Sequence, residues 1–481
     1  MAATNIKLIL VKSGNLLRAA FVNLPAVNYI RHTTPHTLQK TNQPAIMDIA
    51  ASSQPQVWPL WKKVIFRFFF IFLTLLMSPW TWLSDIPGIN YLTGYYEQLV
   101  NWAVTLANAK VFHVSKVLVP VNGSGDTSWG WAQLWLLLSL GAIGSIVWSA
   151  IDRKRPNYTH LNYWLCLFAR YYIALFAFVY GILKIFAMQM YFPSVHQLAT
   201  PLGDLLPMRL SWLFIGYSTK YQVFSGIMET IAGLLLLYRR TATLGILFAT
   251  AVFINVMMLN LSYDIPVKIF SMELNLTCLF LLANEANRII CFFVLNKPAP
   301  VCSLYQFKYT KLWMRITRIV LKIAFIIIAV VLQFVNNYQY YQSAHQPPKK
   351  QPVKNGVYEV AVYAVNNHPI PLALSDTLRW QDCIFEDGTG SIKTADSAFR
   401  HRYQRAYFYY SADSIKHTIG FKSYEQDSTY ILNMRYDQPD TNTIRLWGLQ
   451  RNDSLYVELK RTNRHFQLAE KQFHWLSEHN R

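Results

Sequence analysis

Acidic residues are scarce in this chain. Asp and Glu number 25 against 45 Lys and Arg over 481 residues, none precedes Asp48, and charged residues of both signs make up only 15%. Cysteine is scarcer: Cys166, Cys278, Cys291, Cys302 and Cys383 form no CxxC pair and no metal-ligand spacing. Only Cys383 falls after residue 356, so no disulfide framework is legible there, and all five read as small apolar residues. The histidines do not cluster. His196 has no second histidine nearby, and His401, His417, His465 and His474 are scattered over different predicted elements, so no metal site is assigned. G-x-S-x-G, Walker, HExxH and dinucleotide-binding fingerprints are all missing, and no catalytic residue is assigned.

Apolar sequence is abundant instead, at 53% hydrophobic and 15% aromatic residues. A bilayer core takes about 20 apolar helical residues. Seven such runs occur, at roughly 64–83, 130–150, 165–189, 221–238, 242–261, 268–285 and 316–335. The net charge of +20 raises the question of nucleic acid, but the basic residues sit at the ends of these runs. They include Lys62, Lys63, Arg67, Arg153, Lys154, Arg155, Arg239, Arg240, Arg288, Lys297, Lys308, Lys311, Arg315 and Arg318, and no basic-aromatic binding motif accompanies them. Alternate loops are poor in Lys and Arg. The positive-inside rule then places the N-terminus in the cytoplasm and, with an odd number of spans, the C-terminus outside an inner cell membrane.

Residues 1–63 form an N-terminal cytoplasmic segment, expected to be partly disordered, with Met47 as the better start than Met1 and no function assigned. The expected transmembrane domain covers 64–335. Trp80 and Trp82 close its first run where an aromatic belt belongs. The loop 84–129 contains EQLVNWAVTLANAKVFHV, with helical periodicity, expected on the membrane surface. Residues 191–220, broken by Pro193, Pro201 and Pro207, read as a re-entrant or interfacial cap. The segment 289–307 reads as interfacial, and 336–355 as a Pro/Lys/Gln linker. From 356 to 481 the pattern changes to short alternating segments at about ten-residue spacing, which predict an extracytoplasmic antiparallel β-barrel or sandwich ending in an aromatic plug. The fold class is thus a polytopic α-helical membrane bundle of about seven spans followed by a β domain.

Several runs carry residues that lipid tolerates poorly, and such groups mark sites. Lys184, Glu229, Asn255 and Glu273 lie about 6–9 residues inside the outer ends of their runs, roughly 9–14 Å deep. Asn275 accompanies Glu273. Tyr180, Gly181 and Lys184 share one helix face, and Gly226 and Gly233 would allow close helix approach. The turn Asp264-Ile265-Pro266-Val267-Lys268 adds two charges at the outer interface. One reading makes Tyr180, Lys184, Glu229, Asn255, Asp264, Lys268, Glu273 and Asn275 the wall of a ligand pocket under the cap. The other makes them an ion pair and amide network joining the helices, with Asp264 and Lys268 as a cap and a snorkelling lysine.

The stretch from Arg170-Tyr171-Tyr172 through Gly181-Ile182-Leu183-Lys184, Gly226-Ile227-Met228-Glu229, Gly233 to Leu237, Arg239 to Gly245, Asn255 and Asp264 to Lys268 resembles the DoxX-like membrane proteins. The resemblance covers residues 165–297. It implies a four-helix membrane core and, for some members, a role near quinone or thiol redox chemistry. This chain departs from that pattern in its extra spans, its β domain and its lack of a paired cysteine motif. The ending, Leu446-Trp447-Gly448 with Phe473-His474-Trp475, resembles a lipocalin-like barrel, which implies an apolar ligand or a partner.

The expected function is binding of a hydrophobic small molecule, a quinone or a lipid, in support of an envelope redox or lipid process. A non-catalytic scaffold that presents the β domain to an envelope partner is the rival. Proton-coupled transport through Glu229 or Glu273 is a third possibility, disfavoured because no internal repeat is visible. The bilayer is the expected partner, and nucleic acid is not.

Overall fold

The computed structural model describes residues 57–82, 84, 88–299, 307, 309–346, 351–372, 378–471, 473–476 and 478. The expectations for residues 1–56, including the start at Met47, and for Cys302 lie outside these residues.

The helical part opens with α1 (Leu60–Met77), which Ser78 ends in a left-handed turn. Next come α2 (Ile89–Ala107) and α3 (Ser128–Ile151), whose N-cap Thr127 accepts from the Gly130 amide at 3.2 Å. After α4 (Thr159–Ile185) the three prolines break the chain as expected. It makes a single turn, α5 (Val195–Leu198), a 3₁₀ turn (Leu202–Asp204) and α6 (Pro207–Tyr217). Pro207 occupies the first helical position, where its missing N–H has no partner to lose. Then follow α7 (Thr219–Leu237), α8 (Ala242–Ser262), α9 (Lys268–Phe293) and α10 (Leu312–Ala344).

Among the described residues, six helices are long and apolar enough to cross a membrane: Leu60–Thr81, α3, α4, α8, α9 and α10. The remaining expected run is the 19-residue α7, whose apolar character is diluted by Lys220, Gln222 and Glu229. Two boundaries differ from the sequence reading. The interfacial segment at 289–307 begins as the last turn of α9. The linker expected from 336 is helical to Ala344, because the tyrosine-rich end of α10 packs on α4: Phe186 lies 5.0 Å from Phe334, 6.2 Å from Tyr338 and 5.9 Å from Tyr341. Ring packing of this kind outweighs the low hydropathy of the segment.

Contacts fix which ends of the helices lie together. At one end the Trp58 amide donates to the Pro156 carbonyl at 2.9 Å, Tyr163 meets Tyr309 at 3.4 Å, and Arg288 donates to Thr243 at 3.1 Å. This end gathers Lys63, Arg155, Arg239 and Arg315. At the other end the Gly125 amide donates to the Pro266 carbonyl at 2.8 Å, and Tyr191 meets Tyr340 at 3.3 Å.

The C-terminal part is a barrel of eight antiparallel strands. β1 (Gly356–Val365), β3 (Asp382–Glu386), β4 (Thr389–Ile392), β6 (Arg405–Asp413), β7 (Thr418–Lys422), β8 (Leu432–Asp440), β9 (Thr443–Gln450) and β10 (Asp453–Arg461) pair in that order, and β10 returns to β1. The closing register runs from Tyr358 opposite Arg461 to Val365 opposite Leu455. Short β2 (His368–Pro369) and β5 (Arg400–Arg402) pair with β1 and β6. Closure decides between the two β architectures left open above, and it removes both sheet edges.

Inward positions alternate along the strands, as Leu432, Met434 and Tyr436 do in β8. Phe385, Phe408, Tyr410 and Phe421 interlock inside with ring centroids 4.9–6.3 Å apart. Trp380 lies 6.3 Å from Phe421. Cys383 sits among them, and burial raises its thiol well above the ordinary range, the behaviour of a packing residue. With the interior so filled, the expected aromatic plug has no space to enter. Phe473, Trp475 and Leu476 lie outside and exposed, Trp475 at 93%.

Candidate functional site

The buried centre of the polar layer is one ion pair. Lys184 of α4 donates through Nζ to Glu229 Oε1 of α7. Lys184 is 7% exposed and Glu229 1%, so neither charge reaches solvent. Glycine makes the approach possible. A Cβ on Gly226 would lie 2.5 Å from the Gly181 carbonyl oxygen, and one on Gly181 would lie 2.9 Å from that of Gly226, so the two backbones touch at this level. Tyr180 completes the cluster, its ring 6.0 Å from Lys184 Nζ. Oε2 of Glu229 has no hydrogen-bond partner among the described residues.

The other five expected residues do not join this cluster. Asn275 is buried in α9 and donates to the carbonyls of Phe253 at 2.8 Å and Ser271 at 2.9 Å, tying α9 to α8. Glu273 is half-buried, within electrostatic reach of Tyr172 of α4. Asn255 lies on the exposed face of α8, whereas Asn260 is buried. The rotation of α8 is not legible in the sequence, since this helix is apolar all round and signals no face. Asp264 and Lys268 form an ion pair of 2.7 Å at the helix end. The α9 N-terminus is capped not by Asp264 but by Asp126, which accepts from the amides of Lys268 at 2.9 Å and Ile269 at 3.0 Å.

Sequence reasoning missed two further polar centres. Arg67, taken as a flanking charge, is 1% exposed and bonded to Tyr158, Ser149 and Asp152. Glu285 pairs with Arg288 at 2.6 Å beside Thr243. For Arg67 the available signal was an ionisable group three residues inside an apolar run, whereas Glu285 sits at the very end of its run.

A sizeable opening lies where the cap meets the barrel. An apolar groove of about 690 Å³ runs between α6 and the chain that leaves β10. Leu205, Leu210, Leu213 and Phe214 form one wall, and Phe466 and Leu468 the other. None of the eight expected residues lines it. The cap is held to the barrel by Glu386 of the β3–β4 turn, which accepts the Val195 amide at 2.9 Å. Arg209 donates to Tyr403 at 2.8 Å, and Ala199 packs on Val357 and Ile384.

His196 Nδ1 lies 3.3 Å from Glu386 Oε2. Burial, assisted by the positive charge of Arg405, lowers the imidazole from its ordinary 6.5 to about 4, so this contact joins a neutral ring to the carboxylate. Between these pH values the unfolded chain takes up a proton that folded His196 does not. Stability is therefore level above pH 6.5 and falls as pH drops towards about 4, by at most about 3 kcal/mol. Glu386, raised by its own burial, works in the opposite direction by accepting a proton in the folded state. The thermal midpoint is expected to fall between pH 7.5 and 5, and His196→Asn to flatten that slope; an equal slope in the variant would remove His196 from the account.

No family model matches the chain, and no solved structure matches it. A stretch of 124 residues is 32% identical to the uncharacterized protein YwoB of Bacillus subtilis (strain 168), covering 26% of this chain and 79% of that protein. The chain belongs to the YwoB family. Kinship with YwoB extends over about a quarter of the residues, so most of this YwoB-related chain exceeds what the match covers.

Proposed function

We propose that this protein binds a lipid-phase molecule, of the lipid or quinone class, in the groove between the cap and the barrel, and supports an envelope process through it. The groove carries this reading: about 690 Å³ of apolar space at the end of a membrane-length helix bundle, walled by leucines and phenylalanines. Phe214, 72% exposed, continues that wall outward, as a path from the bilayer requires. In this reading α7 is the seventh span, the basic end faces the cytoplasm, and the barrel lies on the extracytoplasmic side of the inner membrane. The charge distribution between the two ends supports that orientation. The DoxX-like kinship of residues 165–297 belongs to the same proposal.

A second reading, a scaffold that presents the barrel to an envelope partner, draws support from the filled barrel interior and from the directness of the Lys184–Glu229 pair. Groove filling separates the two. Native mass spectrometry of the protein in mild detergent is expected to show a retained lipid-phase molecule, and Leu213→Trp to release it with little change in thermal midpoint. A wild-type protein that carries nothing would favour the scaffold.

A further inference from the structure

We infer that the occupant is an anionic, phosphate-bearing lipid, with its chain in the groove and its phosphate held by Arg209, Arg400 and Arg402. This rests on the groove reading above and narrows it. A second pocket of about 220 Å³ lies on the far side of Gln197, which lines both spaces. Its wall holds these three arginines together with Tyr403, Tyr407 and Tyr409, and among the described residues no carboxylate lines it.

The arginines are disposed to receive an anion. Arg209 uses Nε on Tyr403. Arg402 lies over the Tyr403 ring at 4.8 Å, and Arg400 over Tyr424 at 5.4 Å. A guanidinium stacked on a ring keeps its in-plane N–H groups for an acceptor. Among the described residues no Asp or Glu lies within ion-pair distance of any of the three. Arg405 shows the contrast: it is buried on β6 and meets both oxygens of Asp382, the Nη1 contact at 3.0 Å.

Position and chemistry agree. The pocket sits at the end of the bundle that is otherwise poor in basic residues, so three guanidinium groups gathered there are not topology signals. Among the described residues the groove wall also holds no acid, and its basic members are Arg464 and His465. Two carboxylates lie nearby and both are engaged: Glu386 accepts the Val195 amide and faces His196, and Glu470 meets His465 at 2.9 Å. An apolar channel and a cationic pocket on either side of Gln197 complement a chain joined to a phosphate. A quinone head is neutral and would leave the guanidinium groups unmatched.

The test uses the full chain in nanodiscs of phosphatidylglycerol or phosphatidylcholine, extracted into mild detergent, with retained lipid counted by native mass spectrometry. Phosphatidylglycerol is expected to be retained about tenfold over phosphatidylcholine, and Arg209→Gln/Arg402→Gln to reduce that retention about tenfold, the loss of one charged hydrogen bond or more. Arg400→Gln, on the exposed β5, serves if the double variant does not fold. Inorganic phosphate is expected not to displace the lipid. Retention unchanged by the arginine variants but abolished by Leu213→Trp would overturn the headgroup assignment and leave the groove reading standing. Retention indifferent to both sets of variants would remove both. Displacement by inorganic phosphate, with Leu213→Trp without effect, would make the ligand a free anion and also overturn the lipid assignment.

Discussion

Replacing Lys184 by methionine is expected to destabilise the detergent-solubilised protein by about 3–5 kcal/mol. The substitution keeps the volume of the side chain and removes its charge, which leaves the Glu229 carboxylate buried at 1% exposure with no cation beside it. The magnitude distinguishes an ion pair from ordinary polar contact between membrane helices. Neutral hydrogen bonds of that kind contribute about 0.6 kcal/mol on average, so a loss near that value would mean the charges are not paired in the membrane protein. Glu229→Gln removes the negative charge and leaves Lys184 with a neutral acceptor, and a smaller loss is expected. The double variant Lys184→Met/Glu229→Leu is expected to recover most of the stability, because a buried ion pair replaced by packed apolar side chains of similar volume is often neutral or stabilising. Thermal unfolding followed by tryptophan fluorescence reads all three. A double variant less stable than Lys184→Met would show that the pair contributes more than its own neutrality.

The pairing was partly legible in the sequence. Spacing put Tyr180, Gly181 and Lys184 on one face of α4, and Gly226 three residues before Glu229 signalled a close partner helix. Rotation was harder to read. On α8 the apolar residues run all round, so Asn255 and Asn260 could not be told apart as outward and inward, and Asp126 lies 142 residues from the helix it caps. The barrel strands were most legible where burial alternates, as in β8, with the turns marked by Asp, Asn and Gly. Closure was not, since it pairs β1 with a strand about a hundred residues later. The groove was least legible of all. Its two walls come from residues 193–221 and 464–468, and neither segment carries a motif of its own. The cap was recognisable from its prolines, but what lies beneath it depends on where the barrel's exit strand runs.

Arg67→Met is expected to loosen the basic end of the bundle by about 2–4 kcal/mol, more than a flanking charge would. A topology signal works during insertion and its removal leaves a folded helix end almost unaffected. Arg67 instead spans three elements: from α1 it donates to Ser149 of α3 at 2.7 Å, to the Asp152 carbonyl at 2.8 Å and to the Tyr158 hydroxyl at 2.7 Å. Tyr158 passes the chain on to the Asp152 carboxylate at 2.9 Å, and its ring stacks on Phe66 at 5.3 Å. Methionine fills the space but leaves the Ser149 and Asp152 acceptors without a donor at a buried site, which is the costly half of a broken hydrogen bond. Lys63→Met, one turn away with its Nζ bonded to the Arg155 carbonyl at the surface, is the control, expected to change stability by less than about 0.5 kcal/mol. Amide hydrogen exchange should locate the Arg67→Met effect at residues 145–160 of the α3–α4 connection. Equal and small effects of the two substitutions would return Arg67 to the role of a flanking charge.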